Sequence, residues 1–223
     1  MAILQRTVFV ELDYAVLHSM QDYVDSANAV LAPHKITLDP ILFARHFSGK
    51  SGSGAVSAML AKAGVSAEAG PLASQIVDAY KKALAARVAS VTALCAKFTS
   101  PLVAKDTHVV FVTQLPEADV TAALGNVVKE GVQVMSESCS HIGSYGWESW
   151  RRMCRKLNVY ERLSGAVVGS GLSAKGAIAA GLYASACMDP LAQNQDCSGV
   201  DVIVEAFDES LAKEMLRILW QKV

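Results

Sequence analysis

The chain is short of several things. Charged residues make up only 18% and aromatic residues 7% of its 223 positions, and the formal net charge is −1. That near-balance removes the basic face or stripe by which a general nucleic-acid binder is recognised. No uncharged run reaches the roughly 18 residues that a membrane-spanning helix needs, and the longest apolar stretch near the end, 176–188, falls short of it. The five cysteines, Cys95, Cys139, Cys154, Cys187 and Cys197, include no Cys-x-x-Cys pair. An odd, scattered set indicates neither a disulfide framework nor a zinc site. It points to a reducing compartment, the cytoplasm or an organelle interior. There is no internal repeat and no low-complexity segment, and the chain opens directly on a strand pattern without the basic leader and apolar core of a signal peptide.

What is present is apolar. Hydrophobic residues reach 52%, and 223 positions suffice for one large domain or a core with a smaller cap. The most informative stretch is Thr7-Val8-Phe9-Val10-Glu11-Leu12-Asp13. An apolar run enters an acid, a leucine and a second acid, which reads as a short buried strand with two carboxylates at its tip. Residues i and i+2 share a strand face, so Glu11 and Asp13 are expected as neighbours.

The remaining elements follow in order. Helices are expected over 20–31, 40–47, 55–63 and 67–97, with a loop at Ser48-Gly49-Lys50-Ser51-Gly52. A second strand covers 108–113, a helix 118–129, a third strand 131–135 and a helix 145–157. A fourth strand at 165–168 runs into the turn Gly169-Ser170-Gly171, followed by a short helix, a strand at 182–187, a further strand at 201–204 and an amphipathic helix at 210–220. Strands alternating with helices specify an α/β fold, a Rossmann-like doubly wound parallel sheet covered on both faces. The helices between the first two strands exceed a simple crossover and read as an insertion. The expected organisation is a core of 1–14 and 99–223 with a helical cap of 15–98.

The opening motif resembles that of the haloacid-dehalogenase-like hydrolases. In that family an Asp nucleophile, an apolar residue and an Asp acid/base stand at the tip of the first strand. The strand ending at Thr113 is similar to the family's second motif. Asn158, the strand 166–168 and Ala179-Ala180-Gly181 are similar to its closing segment, and Phe47-Ser48-Gly49-Lys50-Ser51 to the cap loop of its phosphoglucomutase-like branch. The resemblance implies an aspartyl-phosphate nucleophile, a second Asp that protonates the leaving group, a Thr and a Lys that hold the phosphate, and acids after the fourth strand that hold magnesium.

The departures lie in the chemistry. Glu11 replaces the nucleophile, and Asp13 and Thr113 are retained. The extra methylene displaces the attacking oxygen by about 1 Å, and misplacement of that size costs on the order of 10²-fold. Ser144 aligns where the lysine is due, with Lys129 and Lys156 as other candidates, and Gly169 stands where an acid is due. A carboxylate attacking a phosphate dianion needs positive charge to cancel the repulsion. The expectation is therefore a catalytically inactive protein that acts as a binding or structural subunit, with Glu11, Asp13, Thr113, Ser144 and Gly169 as vestigial positions, no cofactor, and a protein partner or oligomer. The alternatives are an active phosphatase or phosphomutase that uses Glu11, Asp13 and magnesium, or a sensor that binds a small phospho-ligand through Thr113, Gly169, Ser170 and Gly171.

Other patterns are weaker. Gly169-Ser170-Gly171 with Asp189 about 20 residues on has the outline of a dinucleotide fingerprint, but too little chain follows it. The turn could still take an anion at a helix N-terminus, helped by Lys175. The loop at 48–51 lacks the leading glycine of a phosphate loop. Glu137-Ser138-Cys139-Ser140-His141 gathers metal-ligand types at chance spacing. Trp147 and Trp150, three residues apart before Arg151 and Arg152, read as packing residues or, if exposed, as a partner hot spot.

Overall fold

Runs of valine and phenylalanine decide the centre of the molecule. The computed structural model describes residues 5–139 and 141–221. Strand β1, Arg6–Glu11, lies between β2, Thr107–Thr113, and β4, Ser164–Val168. Strands β3, Val132–Ser136, β5, Tyr183–Cys187, and β6, Val202–Val204, complete a sheet of order β3-β2-β1-β4-β5-β6. Every pairing is parallel, with Val8 opposite Val109 on one side and Gly165 on the other. Central parallel strands are covered on both faces and need no polar alternation. Val8, Phe9 and Val10 are accordingly 0% exposed, and each such side chain contributes roughly 1.5–3 kcal/mol by leaving water.

Helices cover the sheet. Helix α5, Thr92–Val103, packs on β2 and on α9, Glu209–Gln221, and Phe98 stacks on Phe207 at 4.3 Å. Helices α7, Trp147–Leu157, and α8, Gly171–Ala180, pack on each other, and Trp150 meets Phe9 edge-on at 6.2 Å. Helix α6, Glu117–Leu124, packs on β3. It is shorter than the expected 118–129 because Gly125, at φ +53°, turns the chain out of the helix.

Four helices lie between β1 and α5: α1, Met20–Leu31, α2, Pro40–His46, α3, Gly52–Ala63, and α4, Ala69–Arg87. Asp39 caps α2 by accepting from Leu42 N at 2.7 Å, and Pro40 fills the first turn. Helices α1 and α3 pack on α4, and Tyr23 sits among Phe43, Phe47 and Tyr80. The single helix expected over 67–97 is two. A tighter turn at Val88–Val91 separates α4 from α5. There the hydroxyls of Ser90 and Thr92 donate to the Arg87 and Ala89 carbonyls, which draws the backbone out of the α-helical ladder.

The inserted helices are tied down over the carboxyl end of the sheet. Gly49 N donates to Ile142 O and Ile142 N to Lys50 O, each at 2.9 Å. Gln195 Nε2 donates to Ser48 Oγ at 3.0 Å, and Met20 N donates to Asp189 Oδ2 at 3.0 Å. No helix of the described residues is long and apolar enough to cross a membrane.

Candidate active site at the carboxyl end of the sheet

Strand order reverses at β1, with β2 on one side and β4 on the other. In open α/β sheets such a reversal leaves a crevice beyond the carboxyl ends of the strands. Glu11 ends β1, Thr113 ends β2 and Gly169 follows β4, so these three converge.

One expectation needs correction. Asp13 is not on the strand with Glu11. β1 stops at Glu11, and Leu12–Val16 form a wide, π-type helical turn. The turn sends the two acids to opposite neighbours. Glu11 Oε2 accepts from Gly169 N at 2.8 Å, on the β4 side. Asp13 Oδ1 accepts from Thr113 Oγ1 at 2.7 Å and Oδ2 from Gln114 N at 2.8 Å, on the β2 side. Both acids are 0% exposed.

Their electrostatics differ. Burial pushes Glu11 up to about 8, against the pull of the nearby Ser173 hydroxyl and the Gly169 amide, and the Asp13 charge adds to the rise. Its second oxygen, Oε1, has no hydrogen-bond partner. Burial also raises Asp13, but only to about 6, because Thr113, Gln114 and, more weakly, the Lys81 charge favour its ionised form. Neither acid forms an ion pair with any described lysine or arginine.

The donor set does not fit a magnesium ion, which takes a near-ideal octahedron of oxygens. Both Asp13 oxygens and one Glu11 oxygen already accept hydrogen bonds. No acid can be added at 169 as the chain now lies, because a Cβ there would overlap the backbone carbonyl of Tyr14. Glu11 Oε1 is the one oxygen of the two carboxyl groups without a hydrogen bond, and burial raises the proton affinity of its carboxyl.

Aromatic side chains fill the space above. Tyr14, Tyr80 and Tyr145 are buried. Gln114 Nε2 donates to Tyr14 Oη at 2.6 Å, the Tyr14 hydroxyl points to Cys139 Sγ at 3.8 Å, and Tyr80 Oη shares a 2.7 Å hydrogen bond with Ser19 Oγ. A cavity of about 70 Å³ remains, bordered by Tyr14, Tyr23, Tyr80, Gln114, Cys139 and His141. At roughly 30 Å³ per water, it has room for a few waters.

The other sequence candidates separate. Ser170 caps α8, accepting from Ser173 N at 3.2 Å and donating to Gly143 O at 2.9 Å. A Cβ on Gly171 would overlap the Asp196 carbonyl, so this glycine serves close packing. Lys175 is paired with Asp196 at 2.8 Å on the surface, so its charge is already balanced beside the turn it was expected to assist. Ser144 is buried in the loop before α7, and its amide bonds to His141 O. Lys156 is paired with Glu117 at 3.7 Å.

Asp189 is a structural residue rather than a ribose ligand. Its carboxylate receives Met20 N and Leu191 N and pins the start of α1. Glu137 is paired with Arg152, and among the described residues no group of three His, Cys, Asp or Glu could hold a metal; Ser140 lies outside them. Trp150 is fully buried and Trp147 is 45% exposed.

Sequence reading missed Tyr14, Tyr80, Gln114, Ser173 and Lys81. Two signals were available. Gln114 directly follows Thr113, and Ser173 lies one helical turn beyond Gly169.

No family model matches the chain, and no curated protein matches it in sequence. Solved structures do. A predicted phosphoglycolate phosphatase from Haemophilus somnus 129pt aligns with a TM-score of 0.67 and 16% identity, over 96% of this chain and 99% of its own. CbbY from Rhodobacter sphaeroides, in complex with phosphate, aligns at 0.66 and 14%, over 91% of this chain and 95% of its own. A β-phosphoglucomutase from Clostridium difficile aligns at 0.66 and 11%, over 99% and 98%. The chain has the haloacid-dehalogenase-like fold. At these identities the likeness concerns the path of the backbone, including the helical insertion after β1, and leaves the chemistry to the residues themselves.

Proposed function

We propose that this chain is a non-catalytic protein on a haloacid-dehalogenase-like scaffold, acting as a binding or structural subunit. In this reading 1–14 and 99–223 form the core and 15–98 a cap that stays closed. The observation that carries it is the state of Glu11. A nucleophile must be ionised and reachable. Glu11 is fully buried, hydrogen-bonded to Gly169 and protonated up to about pH 8. Thr113 spends its hydroxyl proton on Asp13, and among the described residues no lysine or arginine forms an ion pair with either acid.

A second reading, an active phosphatase or phosphomutase with Glu11 as nucleophile and Asp13 as acid/base, is favoured by one feature. Asp13, at about 6, titrates where a general acid works near neutral pH. A phospho-ligand sensor using Thr113 and the 169–171 turn is a third, and it requires Gly169 N to give up Glu11. The deciding experiment is hydrolysis of a generic aryl phosphate, with and without magnesium, by wild type and Asp13→Asn. The expected outcome is no turnover that depends on Asp13. Magnesium-stimulated turnover abolished by that substitution ends the non-catalytic reading.

A further inference from the structure

Helix α7 carries two rows of charge, and only one is balanced. Arg152 and Lys156, four residues apart, pair with Glu137 and Glu117. The next row is Trp147, Arg151 and Arg155, also at four-residue intervals and exposed. Arg151 lies over the Trp147 ring at 5.3 Å. Among the described residues neither Arg151 nor Arg155 forms an ion pair.

Such a row is costly to the helix alone. Like charges at i, i+4 repel, and a half-exposed tryptophan gives up burial. Tryptophan and arginine are the residues on which protein interfaces concentrate their binding energy. Two guanidiniums about 6 Å apart along the axis match two carboxylates one helical turn apart, with an apolar side chain lying on the indole.

A second copy of this chain does not supply that complement. Among the described helices none presents two unpaired carboxylates one turn apart: Asp22 and Asp25 come nearest, and Asp22 is paired with Arg87. Nucleic acid is a poor match as well, because the chain as a whole carries no basic surplus, its formal net charge being −1.

We propose that the Trp147–Arg151–Arg155 row of α7 docks an acidic, amphipathic segment of a different protein. The proposal gives the binding role a surface and rests on that reading. The probe is a fluorescein-labelled helical peptide with two glutamates four residues apart and a leucine one turn before them; its control has glutamines in their place. Fluorescence anisotropy with the full chain at low salt is expected to show the glutamate peptide bound about tenfold or more tightly than the control, with that preference lost in Arg151→Glu/Arg155→Glu and weakened in Trp147→Ala. Arg217→Glu, on the surface of α9, is expected to leave binding unchanged, and circular dichroism checks that each variant is folded. Equal binding of the two peptides, binding unaffected by the double reversal, or preference of the same arginines for a single-stranded oligonucleotide or a phosphatidylserine vesicle overturns the proposal. The phosphatase assay reports separately on the site, so a failure here is distinguishable from a failure there.

Discussion

The two sides of the strand-end crevice solve the same problem differently. On the β2 side, Asp13 fills both oxygens with short hydrogen bonds from Thr113 and Gln114 and settles near 6. On the β4 side, Glu11 reaches one longer step to Gly169, leaves Oε1 without a partner and rises to about 8. Both acids are completely buried, so burial alone does not separate them. The donors and the neighbouring charges together do: Thr113, Gln114 and the Lys81 charge favour the Asp13 anion, whereas the Gly169 amide and Ser173 hydroxyl beside Glu11 work against the added repulsion of Asp13. The β2 side stabilises charge, while the β4 side holds a carboxyl that burial keeps largely protonated.

The comparison breaks most severely at Gly169. Gly169→Ala places a methyl group into the Tyr14 backbone. It is expected to cost on the order of 3 kcal/mol or more, at the upper end of overpacking penalties, and urea unfolding measures it. Gly169→Asp, which would return an acid to the turn, is expected to fare worse. A stably folded aspartate variant with magnesium bound would show that the β4 side had closed only because its acid was missing.

Next in size is pH. Burial lifts Glu11 from 4.5 in the unfolded chain to about 8 in the folded one. Its contribution to stability is complete below the unfolded value, declines as pH rises, and is gone once pH passes the folded value. Asp13 behaves the same way between 3.8 and about 6. A tenfold difference in proton affinity between the folded and unfolded chain is worth about 1.4 kcal/mol, so the protein is expected to lose several kcal/mol from about pH 4 to pH 8. Glu11→Gln keeps an acceptor for Gly169 N and removes the titration. It is expected to be more stable than wild type at pH 8 and to show no loss between pH 6 and 8. Thermal melts across that range check it, and a parallel decline in both proteins removes Glu11 as the cause.

Thr113→Val sharpens the contrast from the other side. It deprives Asp13 of its hydroxyl donor and Leu115 N of its acceptor. The expected cost is about 1–3 kcal/mol, with Asp13 moving up toward Glu11, read by carboxyl NMR titration. The smallest effect is expected from Lys81→Met. Its charge is the weakest of the influences on Asp13, so a slight further rise of the Asp13 midpoint and no change at Glu11 is the expected result. An equal rise at both acids would mean that Lys81 faces the whole crevice.

Much of the fold was legible because it depends on local pattern. Apolar runs rich in valine at 7–10, 109–112 and 165–168 read as buried strands, and the helices between them pointed to a parallel sheet. Glu11, Asp13, Thr113 and Gly169 were picked out by resemblance to a family's motifs, and the fold hydrogen-bonds Thr113 to Asp13 and Gly169 to Glu11. The errors came where side chains compete with the backbone. Ser90 and Thr92 divided a helix that looked continuous, and the turn at Leu12–Val16 took Asp13 off the strand. Ser144 and Lys175 were placed by alignment and by spacing, and neither contacts the acids in the fold.

By itself the sequence determined the order of strands and helices along the chain and the residue types at the strand ends, glutamate at 11 and glycine at 169, since each is a matter of residue type along the chain. Only the tertiary structure decided what those residues can do. The protonation of Glu11 depends on how many amides and hydroxyls come from elements more than 150 residues away. Tyr14, Tyr80 and Tyr145, ordinary in sequence, are buried beside Asp13 only in the folded chain. Solvation and charge are set by neighbours in space, and those neighbours exist only after the chain has folded.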